Sequence, residues 1–153
     1  MIPELIDNVL PEGIHSCTIE EVDAAFGRFW KTDRRIKLTA KLKLFVQEAR
    51  NSGMVAALIV DGSYVTGKAS PEDIDIVVAL RPSVDLAQLA GSFVEMLKDR
   101  RRMHREFRVD ARAIPDGSDK YHELINFYSK VRLDDPEQVT SRTRKGLLRI
   151  DLC

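Results

Sequence analysis

The stretch Val60-Asp61-Gly62-Ser63, then nine residues, then Asp73-Ile74-Asp75-Ile76-Val77-Val78, constrains this chain more than any other part of it. Met54 to Val60 is an apolar run of strand length. A glycine directly after it lets the backbone turn sharply and leaves no side chain in the way of a phosphate. Backbone N–H groups left free at such a turn, together with the Ser63 hydroxyl, can hold the outer phosphates of a nucleoside triphosphate. Ile76, Val77, Val78 and Leu80 continue as a second apolar strand. Residues i and i+2 of a strand share a face, so Asp73 and Asp75 lie side by side while Ile74 turns to the core. Two adjacent carboxylates resist ionising unless a cation stands between them, and a hard divalent ion, Mg²⁺ or Mn²⁺, is the economical partner.

This order of strand, Gly-Ser, spacer, Asp-x-Asp and second strand resembles the DNA polymerase beta-like nucleotidyltransferase superfamily, with Gly62, Ser63, Asp73 and Asp75 on its motif positions. The resemblance implies transfer of a nucleoside monophosphate from a nucleoside triphosphate to a hydroxyl of a protein, an RNA or a small molecule, with pyrophosphate leaving. It also implies a third carboxylate on a neighbouring strand. Asp110 is the best candidate, 35 residues after Asp75 in the alternating stretch Phe107 to Ile114. Asp73 and Asp75 would then hold the triphosphate metal, and all three the metal that lowers the acceptor hydroxyl's pKa. A second reading keeps Asp110 as a surface partner of Arg108 and Arg112. Lys68 either reaches the phosphates or is a solvated loop lysine, and Thr66 stands where many such enzymes place an arginine. The opening around Ile2-Pro3-Glu4 and Leu10-Pro11-Glu12-Gly13-Ile14-His15 and the ending Lys145-Gly146-Leu147-Leu148-Arg149-Ile150-Asp151-Leu152 are similar to a family of small, single-domain bacterial proteins of unassigned function in that superfamily.

At 153 residues the chain suits one nucleotidyltransferase-like domain over 1–153, with residues 1–17 as an N-terminal arm. Its 24 basic and 24 acidic residues cancel, which argues against a protein held on nucleic acid by bulk charge. The charge is unevenly spread: residues 1–25 hold six acids and no Lys or Arg, while Arg100, Arg101, Arg102, Arg105, Arg108 and Arg112 crowd one segment. That segment either receives an RNA, a nucleotide or an acidic partner, or is a solvated helix end. Cys17 and Cys153 lie in no metal-ligand or redox spacing, and His15, His104 and His122 read as isolated. The start lacks the basic and apolar regions of a signal peptide, and no apolar run approaches membrane-spanning length, so a soluble cytoplasmic protein is expected.

The patterning predicts a helix from Thr18, which with Glu21 forms a capping box, to about Trp30. A second is expected from Asp33 to Ser52, with Ile36, Leu42, Phe45 and Ala49 inward and Gly53 as its stop. A third would start at Ser83 and carry Leu86, Leu89, Ala90, Phe93, Val94 and Leu97 on one face, and a fourth runs from Asp119 to Val131. A loop containing Pro136 leads to a last strand at Leu147–Leu152. The sum is an α/β (α+β) fold: a small mixed sheet flanked by helices. The rival to an enzyme is a non-catalytic binding protein on this fold, an antitoxin-like partner or nucleotide sensor. A weaker third reading is a nucleic-acid binder using the arginine segment.

Overall fold

A five-stranded mixed sheet with helices on both faces is the frame of the computed structural model, which describes residues 1–132 and 139–152. The loop around Pro136 and Cys153 lie outside the described residues. In chain order the elements are β1 (Ile14–Cys17), α1 (Ile19–Phe26), α2 (Arg34–Ser52), β2 (Val55–Asp61), β3 (Ile74–Leu80), α3 (Ser92–Leu97), α4 (Arg100–Phe107), β4 (Val109–Pro115), α5 (Asp119–Tyr128) and β5 (Leu147–Asp151). Side by side the strands run β1-β5-β2-β3-β4. β2 is antiparallel to β3 and β5, whereas β1·β5 and β3·β4 are parallel. The expected mixed sheet flanked by helices is therefore what the chain forms.

Alternation along the strands splits the core in two. Leu58, Val60, Ile74, Ile76, Val78, Leu148 and Ile150 pack under α1 and α2 with Phe45, Leu42 and Leu38. Ala57, Ile59, Val77, Ala79, Ile114 and Leu147 face the other way, toward Tyr121 and Leu124 of α5. Asp61, Asp75 and Asp110 belong to this second face, beyond the part that α5 covers with apolar side chains. The charged cluster is thus placed by strand parity.

Local signals set most boundaries. The Thr18 hydroxyl accepts from the Glu21 N–H and the Glu21 carboxylate from the Thr18 N–H, both at 3.2 Å, so the capping box forms. α1 stops at Phe26, short of the expected Trp30, with Gly27 as its cap. α2 ends at Gly53 in the left-handed conformation, as its sequence predicts. Its buried stripe is Arg35, Leu38, Thr39, Leu42, Phe45, Val46 and Ala49, and Ile36 is exposed, contrary to expectation. The i, i+3, i+4, i+7 spacing runs through Arg35, which places Ile36 a quarter-turn off the stripe.

The third helix is also corrected. Asp85, not Ser83, caps a short 3₁₀ turn at Leu86–Gln88, and Gly91 at φ 126° interrupts the run before α3 begins at Ser92. The arginine-rich segment then forms α4, capped by Asp99 and anchored by buried Met103 and by Phe107, whose ring lies 5.5 Å from that of Phe45. α5 ends at Tyr128, before the expected Val131. Residues 1–17 form more than an arm: β1 pairs with β5, Val9 and Leu10 are buried, and the Leu10 carbonyl accepts from the Gly146 N–H at 2.9 Å. No described helix is long and apolar enough to cross a membrane.

Candidate functional site

Three aspartates stand in one row across the sheet. Asp61 of β2 pairs in register with Asp75 of β3, and Asp75 with Asp110 of β4. Neighbouring strands lie about 4.8 Å apart, so the row brings three carboxylates together on one face. Asp73, two residues before Asp75, lines the same cleft of about 610 Å³ with Gly62, Ser63, Lys68 and Asp110. The structure therefore gathers all six residues singled out in the sequence along one wall.

The members of the row differ electrostatically. Asp61 is almost fully buried and bonded to the Lys145 ammonium at 2.7 Å; burial raises its pKa, and Lys145 opposes that rise. Among the described residues Asp75 has no such partner. Burial first, then Asp61, Asp73 and Asp110, push its carboxyl up to about 7, with Lys145 the opposing charge. Asp110 is bonded to Arg100 at 2.6 Å, not to Arg108 or Arg112, which corrects the surface-pair reading. Arg108 caps α4 at φ 55°, and Arg112 lines the cleft. His104 is not isolated either, since its Nε2 lies 3.5 Å from Asp73.

The glycine turn is tight for a reason other than the one expected. Gly62 has φ 88°, and a Cβ built on it would sit 2.7 Å from Asp75 Oδ2 and 3.3 Å from the Asp75 amide nitrogen. The close approach that needs glycine is thus to Asp75 itself. After it, Ser63–Val65 makes one 3₁₀ turn, and the segment to Lys68 is held from beneath by Arg35. The Arg35 guanidinium donates to the carbonyls of Tyr64 at 2.6 Å, Thr66 at 2.8 Å and Lys68 at 2.6 Å. A buried cation satisfied by carbonyl dipoles fixes the loop and leaves a net positive charge under it.

Carboxylate oxygens are the donors a hard divalent cation prefers, and a cation beside Asp75 would relieve the repulsion that keeps it from ionising. The donor chemistry fits. Among the described residues, however, no three His, Cys, Asp or Glu side chains converge as a group that could hold a metal ion. Asp110 is turned to Arg100 and Asp73 faces the His104 ring, so each of these acids already has a local side-chain partner.

Sequence reasoning missed Asp61, Lys145 and Arg35. Asp61 lies inside the motif, next to Gly62, but a single acid at a strand end gives no spacing to read. Lys145 is 84 residues from Asp61 and meets it only because β5 lies beside β2. Arg35 had a signal, a charged residue in the inward stripe of α2. Neither a search of curated proteins nor a search of solved structures returns a match. A family model described as "Family of unknown function (DUF6932)" matches residues 3–151, almost the whole chain, and the protein therefore belongs to that family.

Proposed function

We propose that the protein is a divalent-metal-dependent nucleotidyltransferase that moves a nucleoside monophosphate from a nucleoside triphosphate to a hydroxyl. One observation carries the reading: Asp73, Asp75 and Asp110 line the same cleft as the Gly62-Ser63 turn. Gly62, Ser63 and Lys68 take the outer phosphates, and Arg35 beneath them keeps the turn rigid and electropositive. Asp73 and Asp75 would hold the metal of the triphosphate, with Asp110 joining them on the acceptor side. The metal, when bound, neutralises phosphate charge and lowers the pKa of the acceptor hydroxyl. Asp110 receives the hydroxyl proton as the acceptor oxygen bonds to the α-phosphorus and the bond to the pyrophosphate oxygen breaks. Triphosphate supply makes the cytoplasm its place of action.

The observation favouring the rival is the Arg100–Asp110 pair, which occupies the third carboxylate. A binding protein of this fold can leave that pair closed; an enzyme must open it. The test is incubation with each triphosphate and Mg²⁺ or Mn²⁺, followed by mass spectrometry of candidate protein, RNA and small-molecule acceptors. One added nucleotide, lost in Asp110→Asn while triphosphate binding persists, supports the enzyme. Triphosphate binding that needs neither metal nor Asp110, with no transfer, supports the binder.

A further inference from the structure

A second cleft, of about 390 Å³, shares Asp73 and Asp110 with the first and is otherwise walled by Arg100, Arg101, His104 and Arg105. These four lie at i, i+1, i+4 and i+5 on one face of α4, while Met103 and Phe107 anchor the other. Two of the four are engaged locally: Arg100 with Asp110 at 2.6 Å and His104 with Asp73 at 3.5 Å. The guanidinium groups of Arg101 and Arg105 are exposed and make no ion pair among the described residues. In a chain with 24 acids for 24 bases, unpaired neighbouring guanidinium groups beside a carboxylate cluster are a local concentration of charge.

The two clefts differ in kind. The first contains the phosphate turn and the second contains none, yet they meet at the acids assigned to the reaction. In-line displacement needs the attacking hydroxyl on the side of the α-phosphorus opposite the leaving pyrophosphate. We propose that the second cleft is the acceptor subsite and that the acceptor bears phosphate beside its reacting hydroxyl, gripped by Arg101 and Arg105. This rests on the nucleotidyltransferase reading for the word acceptor, and on the cleft alone for the phosphate. Phosphate suits the site better than carboxylate, because it offers three oxygens to the forked donors of two guanidinium groups. The α4 acids are in any case accounted for: Glu106 is bonded to Arg102 at 3.1 Å, and Asp99 caps the helix.

The phosphate can belong to a polynucleotide end or to a phosphorylated small molecule, and the test separates them. Fluorescence anisotropy would follow a labelled single-stranded oligoribonucleotide on the full chain, without metal or triphosphate. Ribose 5-phosphate and plain ribose would serve as competitors. Expected are binding that weakens with salt at a log–log slope of roughly −1.4 for two engaged phosphates, and at least a tenfold loss in Arg101→Glu/Arg105→Glu. The Arg101→Gln/Arg105→Gln pair should fall between. Displacement by ribose 5-phosphate at comparable concentration identifies the small-molecule source, and resistance to it the polynucleotide. Equal competition by plain ribose, equal binding by the charge-reversed variant, or no binding of either phosphate probe overturns the proposal. Mg²⁺-ATP binding, measured separately by calorimetry, should be unchanged in both double variants. Its absence in the unaltered protein would remove the donor reading while leaving the anion cleft standing.

Discussion

The two ends of one sheet face carry acids in opposite states. Beyond the far end of β4, Asp116 receives both terminal nitrogens of Arg149 at 3.0 Å, and the same guanidinium reaches Tyr121 at 3.0 Å and Asp151 at 2.9 Å. Arg149 draws the pKa of Asp116 down. At the near end Asp75 has no ion-pair partner among the described residues, and its carboxyl is pushed up to about 7. Both regions hold charged groups on strands of the same sheet, yet one is saturated by a forked donor and the other is left short of positive charge. A saturated network needs nothing further, whereas a deficient one is favourable only when something else supplies the charge.

The largest expected effect breaks the deficient end. Under the proposed function, Asp75→Asn should lower nucleotidyl transfer by roughly 10³-fold or more, because an amide cannot supply the lost charge. The same change should stabilise the metal-free protein at neutral pH by about 1–3 kcal/mol, read from urea unfolding in chelator. A loss of stability instead would make Asp75 a structural acid like Asp116.

Next comes the boundary between the two states. Lys145→Met leaves Asp61 buried without its cation and should cost about 3 kcal/mol in thermal or urea unfolding; Lys145→Met with Asp61→Asn should recover most of it. No recovery would mean that Lys145 acts through packing rather than charge.

The pH dependence should separate the ends by sign. The unfolded chain ionises Asp75 near its ordinary 3.8 and the folded one near 7, so the contribution of Asp75 to metal-free stability falls as pH climbs through that window. Asp116, with its pKa lowered, contributes stability above the ordinary 3.8 that is lost as pH falls through its folded-state value. Urea midpoints from pH 3 to 8 should therefore rise with pH on the acid side more weakly in Asp116→Asn, and decline less toward pH 7 in Asp75→Asn. Identical profiles in the two variants would erase the distinction.

The smallest effect lies in the turn. Ser63→Ala should weaken Mg²⁺-triphosphate binding by about 0.5–1.5 kcal/mol, while Gly62→Val should do far more, since its Cβ meets Asp75 and its φ is positive. The reverse order in calorimetry would show that the turn does not cradle the phosphate.

The elements near the site were legible because their signals are local. The Thr18–Glu21 box and Gly53 mark ends by bonds within a few residues, and Asp73 and Asp75 share a face by strand parity. Arginine-rich α4 was not read as an anchored helix, because only Met103 and Phe107 in it are apolar and a helix held at two points shows little periodicity. Ile36 faces outward because the inward stripe runs through a buried arginine, which apolar spacing does not register and whose carbonyl partners lie 9 to 33 residues away.

By itself, the sequence determined that a glycine turn precedes an Asp-x-Asp strand and that a mixed sheet with helices would bury the apolar runs. Parity and turn geometry act over a few residues, so one chain read in order suffices for them. Only the tertiary structure decided which side chain stands beside each acid. Asp61 is paired because the segment leading into β5 delivers Lys145, Asp110 is held because α4 delivers Arg100, and Asp75 lies between them without an ion pair among the described residues. Electrostatic energy depends on distance through space, and which strands become neighbours is settled by packing rather than by order along the chain.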